Sequence, residues 1–374
     1  MIGAVLGCLL GCFHAASAQS NFQIQSLQRN SDGSVNITWP VMPNWRYHVY
    51  YADTPNGVWQ PFPDGQITAG TNALTLCYTD AGATNVTQRF YKVGTAVAQL
   101  QMMLVLDTSG SMGCLPLPGG DCSGGGQYMA VAVTNFITQF NDNTDMAGMV
   151  DFNTIATLDV SLEQPFKSAI ISTVGNLSYS GWTYAAGGLQ TALNEFNSVT
   201  NPPGQNVLRV VVFFTDGFAN TSLKTLDCST TPVLMSQTDP IGNPTGPWFY
   251  SFEDPSNGYP ISCDSTSFLS VNGTSLTIST DNQNVWNEGE LEALAAANQL
   301  RQQNVIIYTV GLGTSTPPII NTTFLEEVAN ANDSSNLTYD ATQPAGAALF
   351  VPTPAQLIQA FQQIAAAIHS RNVL

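Results

Sequence analysis

The chain has 374 residues, room for two or three domains, and its 44% apolar content with 31 glycines and 21 prolines lies outside the low-complexity range. Only 9% of residues are charged and the formal net charge is −17, a field that makes nucleic acid and anionic membrane surfaces poor partners. The three histidines, His14, His48 and His369, are too few for a His-rich zinc site, and none of Lys92, Lys167 and Lys224 follows the Gly-x-x-x-x-Gly of a phosphate-binding loop.

Residues 2 to 13 are apolar apart from glycines, and Ala16-Ser17-Ala18 precedes Gln19, so residues 1–18 read as a secretory signal peptide cleaved after Ala18. A basic n-region is missing, which leaves two alternatives: a start further upstream, or an uncut anchor that would be the chain's one membrane attachment. Cys12, after Leu9-Leu10-Gly11, also suggests a lipid-modified cysteine. No other stretch approaches the ~18 apolar residues of a spanning helix. With the leader removed, five cysteines remain. Cys114 and Cys122 bracket one local loop and Cys228 and Cys263 another, so two disulfides are expected in an oxidising compartment, with Cys77 free. Cys77 lies in the strand-like run Ala73 to Tyr78 and reads as a small buried hydrophobe.

Between residues 19 and 98, short β-rich runs separated by turn signals predict an all-β sandwich: Phe22 to Leu27, Ser34 to Trp39, Arg46 to Ala52, Leu74 to Tyr78 and Gln88 to Val93. The placement of Val35 to Trp39, Tyr47 to Tyr51 and Arg89 to Val93 resembles the fibronectin type III-like modules of bacterial surface proteins, with Trp39 and Tyr91 expected in the core.

After residue 98 strands and helices alternate. Strands are predicted at Met102 to Leu106, Ala147 to Phe152, Val207 to Phe214 and Asn304 to Val310. Helices are predicted at Gln127 to Phe140, Thr183 to Phe196, Glu288 to Gln303 and Pro354 to Ser370. This is the α/β pattern of an open, doubly wound, mostly parallel sheet with helices on both faces. Residues 220–283 break the rhythm: they show no clear period and carry Trp248, Phe249, Tyr250, Phe252 and Tyr259. A stretch of that length implies a functional excursion or a small subdomain.

Asp107-Thr108-Ser109-Gly110-Ser111 follows the first parallel strand, where open α/β sheets place their ligand crevice. Its oxygens are hard ligands suited to Mg²⁺, Mn²⁺ or Ca²⁺. Thr183, just ahead of a helix, and Asp216, just after a buried strand, add two more from comparable positions. Two aspartates in one crevice repel each other, raising the pKa of one until a divalent ion compensates. Here the sequence resembles a von Willebrand factor type A domain with a metal-ion-dependent adhesion site, whose pattern is Asp-x-Ser-x-Ser, a distant Thr and a distant Asp. The resemblance spans residues 100 to 370, departing from the family in the Cys114 to Cys122 loop and the insertion. It implies coordination through Ser109, Ser111 and often Thr183, with Asp107 and Asp216 close or water-bridged, and an Asp or Glu carboxylate from a protein partner in the remaining position.

Enzyme readings have less support. Ser109-Gly110-Ser111-Met112-Gly113 misses a nucleophile elbow by its first residue, and Gly311-Leu312-Gly313 lacks the rest of a dinucleotide fingerprint. The sequence therefore predicts a non-enzymatic secreted, cell-surface or periplasmic protein: a sandwich over 19–98, then an adhesion or interaction domain over 99–374. Leu106 to Met112 and the final helix are also similar to Tad-type pilus-assembly proteins, which makes envelope or pilus assembly the alternative. A structural surface component is the other rival: Glu253 or Asp254 from the insertion would close the site and leave the metal only stabilising. The expected partner surface is Trp182, Trp248, Phe249 and Tyr250.

Overall fold

A computed structural model describes residues 23–42, 45–55, 59–70, 73–95, 99–113, 125–201, 207–225, 231–238, 249–262, 269–271, 274–276, 284–313, 320–333 and 336–372. The leader, both proposed disulfides and Trp248 fall outside them. The chain divides into two compact units, one centred on residues 1–99 and the other on residues 100–200 and 208–370.

In the first unit β1 (Ser26–Arg29), β2 (Val35–Pro40), β3 (Arg46–Ala52), β4 (Gln60–Thr68), β5 (Thr75–Asp80) and β6 (Phe90–Thr95) form two three-stranded antiparallel sheets, β1-β2-β5 and β4-β3-β6. Ile37, Trp39, Tyr47 and Val49 alternate inward from β2 and β3 to make the core. Tyr91 is only half-buried and works at its polar tip, donating from its hydroxyl to Asp80 at 2.9 Å, where Arg89 also donates at 3.0 Å. β4 is absent from the sequence reading because Pro61, Pro63, Asp64 and Gly65 mask its period. Cys77 is free but exposed, against the expectation of burial. In β5 the inward positions are Leu76, Tyr78 and Asp80, and pleat alternation turns Cys77 outward.

The second unit is built on a six-stranded sheet ordered β17-β16-β10-β7-β8-β9, from β7 (Gln99–Asp107), β8 (Met146–Phe152), β9 (Ala156–Glu163), β10 (Val207–Thr215), β16 (Ile306–Leu312) and β17 (Ala347–Val351). β8 is parallel to β7, β10 to β16 and β16 to β17; β9 is an antiparallel edge. The continuous apolar runs of β7 and β10 reflect burial on both faces. Phe213 faces α4 (Ala185–Ser198), α5 (Asn284–Gln302) and α6 (Thr322–Ala329), packing with Phe152, Leu189, Phe196, Leu300 and Phe324. Phe214 turns to the other face and meets Phe361 of α7 (Leu357–Asn372), which also packs on Phe136 of α2 (Gly125–Ile137). Two small helices, α1 (Gly110–Gly113) and α3 (Lys167–Val174), complete the unit. Gly188 lets α4 approach the sheet: a Cβ there would stand 2.8 Å from Phe152 and 2.9 Å from Val105.

The excursion is more regular than its sequence. β11 (Thr221–Lys224), β12 (Val233–Thr238) and β13 (Phe249–Glu253) form an antiparallel sheet, and β14 (Leu269–Val271) pairs with β15 (Thr274–Leu276). Its strands are short and intersperse Ser, Thr and Gln among the apolar residues, which hides the usual apolar alternation. Among the described residues no helix is long and apolar enough to cross a membrane.

Candidate metal centre

β7 ends at Asp107, β10 at Thr215, and the loop before α4 runs through Gly181, Trp182 and Thr183. Backbone bonds tie the first of these ends to the third, Gly110 N–H donating to Gly181 O at 3.1 Å and Ser180 N–H to Thr108 O at 3.0 Å, and the Thr215 side chain joins the end of β10 to Asp107. Gly181 takes φ +76°, and a side chain there would strike the Thr154 hydroxyl, so the tight approach requires glycine.

Four of the five sequence-predicted residues are joined by hydrogen bonds. Asp107 Oδ1 accepts from Ser109 N–H at 2.8 Å, Ser109 Oγ lies 3.0 Å from Ser111 Oγ, and Ser111 Oγ donates to Asp216 Oδ1 at 2.6 Å. Asp107, Ser109, Thr183 and Asp216 are buried, and Ser111 is exposed at the mouth. Thr183 is held by its own N–H, which donates to Asn220 Oδ1 at 2.7 Å. Asp216 Oδ2 is buried with no hydrogen-bond partner. The two carboxylates and two serine hydroxyls linked in this way, with one carboxylate oxygen unsatisfied, fit a hard divalent cation, with too few anionic groups to fill its shell. Among the described residues no cluster of three or more His, Cys, Asp or Glu offers an alternative.

The sequence reading missed Thr215, whose hydroxyl donates to Asp107 Oδ2 at 2.6 Å and fixes that carboxylate. Its place beside Asp216 at the end of a buried strand was the available signal. Thr108 was also missed; it donates to Asp151 Oδ2 at 2.6 Å and ties the loop to β8.

One expectation, closure of the site by Glu253 or Asp254, is corrected. Glu253 does not close the site: its carboxylate accepts from Trp182 Nε1 at 2.9 Å and Ser236 Oγ at 3.2 Å. Asp254 accepts from Ser256 N–H at 2.8 Å and Ser256 Oγ at 2.6 Å, stitching a local turn. Trp182, expected to face a partner, is half-buried and its indole N–H is committed to Glu253. Phe249 and Tyr250 begin β13.

Burial pushes the Asp216 carboxyl up to about 8, with the charge of Asp107 adding to the shift, and burial raises Asp107 as well. Desolvation thus outweighs the mutual repulsion that the sequence suggested. Burial and the neighbouring Asp151 likewise push Asp159 up to about 7. A folded-state pKa above the unfolded value of about 3.9 means that the native state keeps a proton which the unfolded chain releases. That contribution to stability is complete below about pH 4 and is lost as pH rises toward 8. In chelator, thermal melts should therefore fall between pH 6 and pH 8.5, and Asp216→Asn should flatten the decline; an unaltered slope in that variant would contradict the assignment.

Residues 101–231 match the von Willebrand factor type A domain. No curated protein matches the chain. Among solved structures, the PilB minor pilin from Streptococcus sanguinis is similar in fold at TM-score 0.50 and 13% identity, over 92% of this chain and 87% of that one. The vWF domain of the type V pili tip protein Mfa5 from Porphyromonas gingivalis aligns at TM-score 0.48 and 14% identity, over 75% of this chain and 97% of that one. Proximal thread matrix protein 1 from the mussel byssus aligns at TM-score 0.41 and 15% identity, over 72% of this chain and 46% of that one.

Proposed function

We propose that this chain is a secreted or cell-envelope protein that mediates adhesion or protein–protein interaction through a metal-ion-dependent adhesion site formed by Asp107, Ser109, Ser111, Thr183 and Asp216. The observation that carries the reading is the buried, unpartnered Oδ2 of Asp216, the carboxylate that ends a hydrogen-bonded chain from Asp107 through the Ser109 N–H and the Ser109 and Ser111 hydroxyls. A bound Mg²⁺, Mn²⁺ or Ca²⁺ would supply the positive charge that offsets two carboxylates and accepts a carboxylate oxygen from a protein partner. Thr215 and the Ser109 N–H orient Asp107, and Ser111, at the mouth, is where solvent and partner have access.

The sandwich over 19–98 is proposed as a fibronectin type III-like stalk for the domain over 99–374, in a chain whose leader, residues 1–18, is removed on export. An enzymatic role is not proposed. Ser111 donates to a carboxylate rather than to an imidazole, and His369 is stacked on Phe140 with ring centroids 5.0 Å apart. Pilus or envelope assembly, as in Tad-type proteins, is the second reading, favoured by the fold likeness to a minor pilin across 92% of this chain. Calorimetric titration of the full chain with each of the three ions tests the main reading, with one saturable site per chain expected. Absence of saturable binding for all three would overturn it.

A further inference from the structure

A ring of hydrogen bonds links the insertion to the rim of the metal site. It begins at Trp182, whose Nε1–H donates to Glu253 Oε1 at 2.9 Å. Ser236 Oγ donates to Glu253 Oε2 at 3.2 Å and lies 3.0 Å from Thr221 Oγ1. Thr221 Oγ1 is 3.3 Å from Asn220 Oδ1, and Asn220 Oδ1 accepts from Thr183 N–H at 2.7 Å. The ring thus returns to the residue next to its starting point. Glu253, Ser236 and Thr221 are buried on β13, β12 and β11, one from each strand of the insertion's three-stranded sheet.

We propose that Glu253 is a positioning residue for the metal site, setting the Trp182-Thr183 loop so that the Thr183 hydroxyl faces the other four oxygen donors. The inference rests on the metal reading given above. Physically, Trp182 and Thr183 follow a glycine at φ +76°, a backbone that does not by itself fix the loop. On the side of the insertion, the loop is bonded through the Trp182 indole and the Thr183 amide, and both bonds end on it. Removing the Glu253 carboxylate leaves the Trp182 indole and the Ser236 and Ser251 hydroxyls without their shared acceptor, and the loop relaxes to recover partners. Outer groups that orient metal ligands are typically worth ten- to a hundredfold in metal affinity.

Proton bookkeeping separates positioning from mere packing. The Thr221 hydroxyl has one proton, which it divides between Ser236 Oγ and Asn220 Oδ1, because Ser236 spends its own on Glu253. In Glu253→Gln the amide oxygen still accepts from Trp182, while the amide nitrogen donates to Ser236. Ser236 can then donate to Thr221, which frees the Thr221 proton for Asn220. The glutamine variant keeps the ring closed without a buried charge.

The test uses the full chain. Mn²⁺ is titrated by calorimetry, and backbone exchange over residues 180–184 is followed by mass spectrometry. Glu253→Ala should weaken Mn²⁺ roughly ten- to a hundredfold and accelerate exchange at Thr183. Glu253→Gln should stay within about twofold of the parent in affinity and preserve the protection. Trp182→Phe, which removes the indole N–H together with one ring of a half-buried side chain and leaves every side chain of the insertion in place, should shift both readouts in the same direction as the alanine variant, and it decides the matter if that variant does not fold. A folded Glu253→Ala protein with parental affinity and parental exchange overturns the inference while leaving the metal reading standing. If the parent binds none of Mg²⁺, Mn²⁺ and Ca²⁺, the metal reading fails, and unchanged exchange at Thr183 in the variants would sink the ring's control of the loop as well.

Discussion

Asp107→Ala in the full chain is expected to abolish divalent-ion binding, with affinity falling by more than about a hundredfold. Asp107 is fully buried at the end of β7 and does two jobs there. It contributes one of two negative charges, and its oxygens bind Ser109 N–H at 2.8 Å and the Thr215 hydroxyl at 2.6 Å, so its loss also releases the start of the Ser109-to-Ser111 loop. The effect on stability without metal should be much smaller. A carboxylate buried beside a second one costs desolvation and repulsion, and its removal offsets the two lost hydrogen bonds. Calorimetry with Mg²⁺ and Mn²⁺, paired with melts in chelator, separates the two quantities. Parental affinity in a folded variant would show that Asp107 is not part of the site.

The candidate oxygen donors were legible because they stand at or just beyond the ends of elements with a strong pattern. Met102 to Leu106 and Val210 to Phe214 are buried on both faces, so their ends, and the residues beyond, could be located to within a residue. The weak elements have mixed environments. β9 has only Val160 and Leu162 as buried side chains, with Asp159 half-buried just before them, and α3 shows two buried positions, Ile170 and Val174. The sheet of the insertion was illegible for a different reason. Its inward positions include Thr221, Ser222, Ser236, Gln237 and Glu253, a polar interior satisfied by hydrogen bonds that no local window contains: Trp182 and Glu253 are 71 residues apart. That long-range pairing also speaks against the rival in which Glu253 or Asp254 closes the site. Glu253 bears instead on the neighbour of a metal-ligand candidate. Excising residues 222–283 should accordingly weaken metal binding as well as alter recognition, since the excision takes Ser236 and Glu253 with it.

Gly289→Ala should damage both stability and the site, although alanine is the better helix former by about 1 kcal/mol. A methyl group at this position of α5 would stand 2.4 Å from Ala219 O and 2.8 Å from Thr221 O, both backbone atoms that cannot rotate away. The helix cannot simply retreat. Glu292 accepts from Ser222 Oγ and Leu223 N–H at 3.0 Å each, and Lys224 Nζ bridges Glu288 at 2.9 Å and Glu292 at 2.6 Å. Those bonds hold the same face of α5 against the same strand, so relieving the collision means stretching them or moving β11. Overpacking of this kind costs about 1–3 kcal/mol, and the backbone contact places Gly289 toward the upper end, which exceeds the gain in helix propensity. Asn220 lies between the two carbonyls that are struck. Its displacement reaches the Thr183 amide directly, and Mn²⁺ affinity should fall together with the melting temperature. A variant that melts higher than the parent and binds Mn²⁺ as tightly would show that α5 can slide along the insertion without disturbing Asn220, and the rigid seat assigned to that residue would have to be abandoned.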